Sequence, residues 1–475
     1  MSDFDRQVPE GAEGLPFYIE VFEKPAEDEL PAEEAPKCSN SEENGPKLAV
    51  TVSVYGQGEE GKCLASLEEL GRLCETAGAQ VSGIVTQMRP APDTKTAVGK
   101  GKLEELSRVC RDTGASFAVF DFELTPSQIR EIENAMETEV SVLDRSMLIL
   151  DIFAMRARSA EGRLQVELAQ LKYTAPRLMG RGRDMSRLGG GIGTRGPGES
   201  KLEIDRRRIR SRITYLEQQL RQVEKNRATM RAARERSGIK KCAVVGYTNA
   251  GKSTLTNRLC DAGVLAEDKL FATLDPTTRK YQLPGGTKIL ITDTVGFINN
   301  LPHHLIKSFK STLDEAAFSD VLMVVCDASD ENFADHLTVT EGLLADLGAA
   351  GIPTLFVFNK CDKIAGDDRI NRMKAAASGS GSEYVFISAL TGEGCDELAN
   401  KLESLCRKGK RPVRVLIPSS EGGLLNLIYK DGDSVRTEYR DNGVLVSMLA
   451  DDKLRGRLAA YIIDTDTGSG SIKES

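Results

Sequence analysis

Residues 240–260 read KKCAVVGYTNAGKSTLTNRLC, and positions 246–253 match the pattern G-x-x-x-x-G-K-[ST] in full. A short apolar stretch precedes the match, and a helical pattern follows it. In a strand, glycine-rich loop and helix of this order, backbone N–H groups and the helix N-terminus surround phosphate oxygens. The stretch therefore predicts a phosphate-binding loop in a doubly wound, mostly parallel α/β domain.

The residues that the pattern fixes have separate chemical tasks. Gly246 and Gly251 let backbone N–H groups close around phosphate oxygens. Lys252 is expected to reach the β- and γ-phosphates as a catalytic residue, and Ser253 is expected to be a Mg²⁺ ligand.

A second motif, DTVG at 293–296, follows the apolar strand pattern KILITD. Asp293 is expected to hold Mg²⁺ through water, and the Gly296 N–H is expected to contact the γ-phosphate. Between the two motifs lies LFATLDPTTRKYQL, residues 270–283, where a threonine is expected to close over Mg²⁺. Thr273, Thr277 and Thr278 are the candidates, and spacing alone does not choose between them.

The residues at the ends of two further strands predict which nucleotide base the site binds. TLFVFNKCD carries Asn359, Lys360 and Asp362, and an aspartate carboxylate can accept from both N1–H and N2–H₂ of guanine. Adenine offers no such donor pair, so the site should reject it. EYVFISAL ends in Ser388, Ala389 and Leu390, where the Ala389 N–H can donate to guanine O6. The order and spacing of these motifs, more than any one of them, indicate a guanine nucleotide.

The length and composition of the chain limit its number of domains, its metal content and its location in the cell. A chain of 475 residues is too long for a single core, and no apolar run reaches the length of a membrane span. Ten cysteines without a C-x-x-C pair, and only three histidines, favour a reducing cytosol and argue against a metal cluster. The N-terminal stretch has neither the basic start nor the apolar core of a secretory signal. We therefore expect a cytoplasmic location and no membrane span.

Charge and periodicity divide the chain into five parts. Residues 1–46 have a net charge of −10 and are expected to be a disordered tail, whereas residues 156–240 have a net charge of +13. Residues 47–143 alternate strand and helix patterns and predict an N-terminal α/β subdomain. Residues 144–238 predict a long antiparallel helical hairpin with a glycine-rich tip at 180–198. Its first helix is expected to run without a break from Arg145 to about Arg177, and its second, from about Glu199 to Arg236, has a heptad-like apolar stripe. The nucleotide-binding domain is expected at 239–410, and a small α/β appendage with a flexible end at 411–475.

The tip contains GIGTRG, which matches the G-x-G-x-x-G pattern of dinucleotide-binding enzymes. That pattern requires a preceding strand in a βαβ unit, but the segment before this one is polar and basic. An oxidoreductase is therefore almost excluded. The turn at 99–102, GKGK, is a candidate anion-binding site, although capping of the following helix is the better explanation of its glycines and lysines.

These motifs together are those of a translation-factor-related GTPase. The stretches at 149–173, at 189–209 and at 271–279 resemble the HflX family of ribosome-associated GTPases, and the resemblance covers about residues 48–405. It implies that Thr273 is the Mg²⁺ ligand and a catalytic residue, together with Lys252 and Gly296. The expected contacts of GTP or GDP are with Gly246, Tyr247, Thr248, Asn249, Ala250, Gly251, Lys252, Ser253, Phe271, Ala272, Thr273, Leu274, Asp275, Asp293, Thr294, Val295, Gly296, Asn359, Lys360, Cys361, Asp362, Ser388, Ala389 and Leu390.

The resemblance also implies a partner, the large ribosomal subunit, and a function in splitting stalled or idle ribosomes under stress. Ribosomal RNA is expected to meet Arg195, Arg206, Arg207 and Arg208 and the 180–198 loop, with Arg177, Arg181, Arg183, Arg187, Arg210 and Arg212 nearby. A solvated helix face with a flexible turn is the alternative for this region. For the whole chain the alternative is a GTP-switched RNA-binding or assembly module without splitting activity. A monomer is expected.

Phe297 departs from the chemistry of many GTPases, which place a water-orienting glutamine directly after this motif. Phenylalanine cannot hydrogen-bond a water molecule. We therefore expect slow intrinsic hydrolysis that the partner accelerates.

Overall fold

A computed structural model of the chain describes residues 47–136, 139–178, 197–235, 239–260, 270–299, 315–364, 367–379, 382–407, 411–450 and 452–464. The strands are β1 Lys47–Tyr55, β2 Ala79–Met88, β3 Phe117–Phe120, β4 Ser141–Asp144, β5 Lys240–Gly246, β6 Thr277–Gln282, β7 Lys288–Asp293, β8 Val321–Asp327, β9 Thr354–Asn359, β10 Glu383–Phe386, β11 Arg411–Ile417, β12 Asp433–Arg440, β13 Gly443–Ala450 and β14 Ile462–Asp464. The helices are α1 Glu60–Thr76, α2 Lys100–Thr113, α3 Pro126–Ala135, α4 Arg145–Arg156, α5 Ala160–Leu178, α6 Pro197–Glu235, α7 Lys252–Cys260, α8 Phe333–Asp346, α9 Asp367–Gly379, α10 Cys395–Arg407, α11 Gly422–Asp431 and α12 Asp452–Arg457.

The first sheet is parallel and has the strand order β2-β1-β3-β4. Its central strand β1 is buried through its middle, and side chains of alternate residues enter two separate hydrophobic clusters. α2 and α3 cover one face, with Leu106 and Ile132 fully buried. α1 and α4 cover the other, with Leu70 and Ile149 fully buried. Gly99 is the N-cap of α2, as the capping interpretation of the 99–102 turn expects.

The second sheet has the order β10-β9-β8-β5-β7-β6 and is parallel except for β6, which runs antiparallel to β7. β5 lies between β7 and β8, so chain connections leave it in opposite directions. Ligands of open α/β sheets bind at such a reversal, beyond the carboxyl ends of the strands. The phosphate-binding loop follows β5 at this point, and the predicted α/β fold class is confirmed.

The helical arm, α5 with α6, differs from the sequence prediction at its base. An unbroken helix was expected from Arg145 to Arg177, but α4 ends at Arg156 and α5 begins at Ala160. The Asp275 carboxylate accepts from the N–H groups of Arg158 at 2.9 Å and Ser159 at 2.7 Å. A partner more than a hundred residues away therefore stabilises the new helix start, and helical periodicity within the segment gives no sign of it.

The two helices of the arm run antiparallel. Glu161, near the start of α5, pairs with Arg227 near the end of α6 at 3.0 Å, and Lys172 pairs with Glu217 at 2.7 Å. Leu168, Leu171, Ile209 and Leu216 form the buried seam between them. The heptad-like stripe of the sequence thus packs as predicted. At 1.5 Å per residue the 39 residues of α6 extend about 58 Å.

The third sheet, formed by β11 to β14 in the order β12-β13-β11-β14, is antiparallel. α11 and α12 pack on one of its faces around Val415, Val446 and Ile428. Within the described residues, no helix is both long and apolar enough to cross a membrane.

Candidate nucleotide-binding site

The loop between β5 and α7 has the backbone geometry of a phosphate cradle. Gly251 has φ +90°, and a Cβ there would overlap the Asn359 amide, so glycine is required twice over. The Lys252 ammonium is buried and donates to the carbonyl oxygens of Gly246 at 3.1 Å and Tyr247 at 2.7 Å. Burial lowers the pKa of Lys252 to about 8, while the Asp293 carboxylate acts in the opposite direction. The lysine thus lies within the loop, where a polyphosphate would favour its charged form.

Three oxygen atoms converge beside this loop. The Ser253 hydroxyl donates to Asp293 Oδ2 at 2.7 Å and lies 2.8 Å from Thr273 Oγ1, which lies 3.2 Å from the same carboxylate oxygen. Asp293 Oδ1 is buried and has no hydrogen-bond partner among the described residues. Burial raises the pKa of Asp293. Hydroxyl and carboxylate oxygens are ligands that Mg²⁺ prefers, so this set fits the ion.

The other two threonine candidates lie elsewhere. Thr277 and Thr278 belong to β6, and the Thr278 hydroxyl is 2.9 Å from that of Thr292 on β7. The structure thus places Thr273, and neither of the others, beside Ser253 and Asp293.

The predicted guanine side is assembled around Asn359. Its Nδ2 donates to the Ala250 carbonyl at 2.9 Å, and its Oδ1 accepts from the Ala389 N–H at 2.9 Å. Lys360 pairs with Asp327 at 2.7 Å. Asp362 is exposed in the single 3₁₀ turn Cys361–Lys363. The loops after β5, β9 and β10 therefore meet at one edge of the sheet.

The predicted contacts do not all turn toward this edge. One cleft is lined by Thr248, Asn249, Gly251, Lys252, Ser253, Thr254, Phe271, Ala272, Thr273, Thr294 and Gly296. In contrast, the side chains of Leu274 and Val295 enter the hydrophobic cluster of the N-terminal sheet, and Leu390 is exposed. Ser388 is fully buried, and the Thr294 hydroxyl donates to the Val244 carbonyl at 2.8 Å. The Asp275 carboxylate is hydrogen-bonded to the N–H groups just before α5.

Sequence reasoning missed two residues that hold these loops. Arg258 on α7 donates to the carbonyl oxygens of Ala389, at 3.2 Å, and Leu390. Asp327, which fixes Lys360, follows the apolar strand VLMVVC, so its place at a strand end was a usable signal. The sequence around Arg258 has no comparable signal, because its contact is 131 residues away.

The N-terminal subdomain contacts the phosphate-binding loop directly. The Tyr247 hydroxyl donates to the Glu69 carboxylate on α1 and accepts from the Asn299 N–H at 2.7 Å. Glu69 also binds Arg145, which is 1% exposed and reaches Asp121 at 2.6 Å. Phe271 packs edge-on against Phe153 of α4, with ring centroids 4.8 Å apart. Phe271, two residues before Thr273, is thereby attached to the neighbouring subdomain.

On the arm, the structure separates the predicted RNA-binding arginines into two groups. Arg206, Arg207, Arg208 and Arg210 are exposed on α6. Arg177 is instead mostly buried and paired with Asp144 at 2.7 Å, which does not support the expected RNA contact. Arg212 is exposed like the first group and pairs with Glu167 at 2.6 Å. The GIGTRG stretch and Arg181, Arg183, Arg187 and Arg195 lie outside the described residues.

The fold and this edge of the sheet define a P-loop GTPase. Residues 241–360 match the family described as 50S ribosome-binding GTPase. Residues 64–154 match the GTP-binding GTPase N-terminal family, and residues 156–234 match the GTP-binding GTPase middle region. These three matches follow one another along most of the described chain.

Curated relatives specify the class further. GTPase HflX of Lacrimispora saccharolytica is 48% identical over 410 residues, which cover 86% of this chain and 95% of the relative. GTPase HflX of Escherichia coli is 40% identical over 383 residues, covering 80% and 88%. The chain belongs to the HflX family of GTPases. A solved GTP-binding protein from Sulfolobus solfataricus in complex with GDP is 26% identical, with a TM-score of 0.42, and covers 75% of this chain and 99% of that one.

Proposed function

We propose that this protein binds the large ribosomal subunit, hydrolyses GTP to GDP and phosphate in a Mg²⁺-dependent reaction, and uses that cycle to split or rescue stalled ribosomes. The observation that carries the proposal is that one chain combines two features. It has a nucleotide-binding edge on its second sheet, and it has a helical arm, α5 with α6, that exposes arginines and is held at its base by Asp275. We propose further that it acts in the cytosol as a monomer.

The convergence of Ser253, Thr273 and Asp293 supports a magnesium ion beside the phosphates. Bound there, the ion would neutralise charge on the β- and γ-phosphates and orient the γ-phosphate for attack by water. The Lys252 ammonium would bind phosphate oxygens from within the loop, and the Gly296 N–H would donate to the γ-phosphate. Asp362, exposed beyond Asn359, would read guanine N1–H and N2–H₂.

The arm supports a nucleic-acid partner. Arg206, Arg207 and Arg210 share an exposed groove on α6 with Thr214 and Tyr215. Guanidinium groups bind phosphates in bidentate geometry, and exposed aromatic rings stack on bases. The family description of residues 241–360, which names the 50S ribosome, points to the large subunit as the source of that RNA.

Co-sedimentation with purified ribosomal subunits tests the partner. The full chain is mixed with large or small subunits in GTP, GDP or a non-hydrolysable GTP analogue, at two salt concentrations. We expect pelleting with the large subunit in the analogue, and a steep loss at higher salt because each phosphate contact releases counterions. A pelleted fraction that changes with neither the nucleotide nor the salt concentration would contradict the proposal.

Charge reversal on the arm tests the contact itself. The combined variant Arg206→Glu, Arg207→Glu, Arg208→Glu is expected to abolish pelleting while GTP binding is retained. The matched control places the same three charge changes on exposed cations elsewhere, Arg108, Arg372 and Lys374, and should pellet normally. Loss of GTP binding in the arm variant would indicate misfolding, and normal pelleting would refute the assigned surface.

Splitting is tested separately from binding. Intact ribosomes are incubated with the protein and GTP or the analogue, and the particles are resolved on a sucrose gradient. A shift from intact ribosomes to free subunits supports splitting. Binding without that shift would favour the alternative, a GTP-switched RNA-binding or assembly module in which hydrolysis only resets the protein.

Phe297 supports slow basal turnover, because it offers no polar group for water. We propose that the large subunit stimulates hydrolysis, and a steady-state assay with and without subunits measures this. Equal rates in both conditions would contradict it.

A further inference from the structure

Phe297 is placed where it cannot take part in hydrolysis by any rotation of its side chain. It is 1% exposed and packs with Ala243, Val245 and Leu322 in a buried cluster. Its N–H donates to the Gly246 carbonyl at 3.0 Å, and its carbonyl accepts from the Thr248 N–H at 2.7 Å. Both backbone groups and the ring are therefore committed to structure, and another residue has to contact the attacking water.

Thr248 lies directly across from this segment. A Cβ added to Gly296 would be 2.8 Å from Thr248 Cα and Cγ2, and 2.9 Å from Lys252 Nζ. The threonine therefore adjoins the two groups expected to bind the γ-phosphate. Glycine at 296 is what permits this close approach.

The hydroxyl of Thr248 has no structural task in the described part of the chain. The residue is 6% exposed, and Oγ1 is buried without a hydrogen-bond partner among the described residues. Three other hydroxyls of the cleft are engaged: those of Ser253 and Thr273 with Asp293, and that of Thr294 with Val244. Burying an unpaired hydroxyl is destabilising, and valine would fill the same space without that cost.

We propose that Thr248 is a catalytic residue whose hydroxyl holds the attacking water beside the γ-phosphate. Its oxygen accepts a hydrogen bond from the water, and its O–H donates to a γ-phosphate oxygen. The water oxygen forms the new bond to phosphorus as the bond to the β–γ bridging oxygen breaks. GDP leaves, and the proton lost by the water is taken up by the phosphate. This inference rests on the proposed GTP hydrolysis.

The test compares the full-length wild type, Thr248→Val and Thr248→Ser in single-turnover hydrolysis, with and without large ribosomal subunits. Thr248→Val should lower the hydrolysis rate about tenfold to a hundredfold. Its affinity for a non-hydrolysable GTP analogue should change less than about threefold, and its affinity for GDP with aluminium fluoride should fall with the rate. Thr248→Ser should restore most of the rate.

Thr51→Val is the matched control, because the Thr51 hydroxyl, in β1 of the N-terminal sheet, is also buried without a hydrogen-bond partner in the part of the chain that the structure describes. It should hydrolyse GTP at the wild-type rate. An unchanged rate in Thr248→Val, or parallel loss of analogue affinity, would overturn the assignment of Thr248. A wild-type chain that hydrolyses no GTP even with large subunits would overturn the proposed function itself.

Discussion

Asn359 shows how one side chain can organise a site without touching a phosphate. Its amide joins the Ala250 carbonyl to the Ala389 N–H, so the phosphate loop and the loop after β10 keep a fixed separation. It is 2% exposed, and both amide atoms are satisfied. Asp362, three residues later, is exposed and is the group assigned to the base. In the proposed function, Asn359 positions the loops and Asp362 reads guanine.

Asp362→Asn is expected to change the base that the site prefers. The variant replaces one carboxylate oxygen, which would accept from guanine N2–H₂, by an amide N–H₂ group, which only donates. That group can donate to the C2 carbonyl of xanthine. GTP affinity should fall about a hundredfold or more, and affinity for xanthosine triphosphate should rise. Titration with fluorescent forms of both nucleotides measures the two constants.

Asn359→Ala provides the comparison for that variant. It removes the link between the loops, so affinity for both nucleotides should fall together. If Asp362→Asn bound GTP as the wild type does, Asp362 would have no part in recognising the base.

At the scale of elements, the junction of α4 and α5 depends on the segment before β6. Ser159 accepts from the Gly162 N–H at 2.8 Å as a helix cap, and Asp275 supports that cap from outside. Asp275→Ala leaves two N–H groups without this acceptor and should lower the free energy of unfolding by about 1–2 kcal/mol. Urea unfolding measures the change.

Asp112→Ala, at an exposed position of α2, is the control for the cap. It should leave the urea midpoint nearly unchanged. Equal effects of the two substitutions would mean that the Asp275 contact adds nothing to stability.

The packing of α4 on α5 contains a titrating carboxyl group. Burial raises the pKa of Asp151 to about 7, and the Gln170 amide, which donates at 3.4 Å, acts against this. In the unfolded chain the group ionises near pH 4. Its contribution to stability is therefore complete below about pH 4 and is lost as the pH rises through about 7.

Asp151→Asn should consequently stabilise the protein more at pH 8 than at pH 5, because the amide never ionises. Urea unfolding of wild type and variant at both pH values measures the difference. A difference that is the same at both values, or larger at pH 5, would refute the raised pKa.

The elements predicted from sequence were mostly those whose pattern is local. β7 matches the apolar run KILITD residue for residue, and β9 begins at the first residue of TLFVFNKCD. The break at 157–159 escaped prediction because Asp275 supplies the acceptor from a distant segment. The site was predictable in its motifs for the same reason, since each one follows a recognisable strand.

What the sequence did not reveal were contacts between motifs and their surroundings. Arg177 was expected to meet RNA, but Asp144, the N-cap of α4, lies beside it once α5 packs on α4. The Tyr247–Glu69 contact joins positions 178 residues apart. Such pairings depend on three-dimensional packing, which periodicity and motif spacing do not encode.

At the scale of the molecule, the N-terminal subdomain and the GTPase domain share one hydrophobic cluster. Leu70, Ile149 and Phe153 contribute from one side, and Phe271 and Ile298 from the other. The buried Arg145 cluster lies beside it. Domains move independently by default unless their interface is large and apolar, so we expect these two to unfold together.

Fluorescence can measure whether the two domains unfold together, because the chain contains no tryptophan that would interfere with an introduced one. Single substitutions Tyr55→Trp and Tyr384→Trp place one fluorescent reporter in each domain. Both reporters should give the same urea midpoint, and adding Phe153→Ala should separate the two midpoints. Distinct midpoints without that substitution would contradict a shared core.

The attachment of α5 to the segment at 271–275 has a mechanical consequence. Counted along the helix, the Pro197 end of α6 lies about 45 Å from Arg227, which marks the level of the Asp275 contact. Tilting a stiff rod of that length by 5° about its foot swings the other end by about 4 Å. A small tilt at the Asp275 contact would therefore move the Pro197 end of α6 by about the spacing of stacked bases.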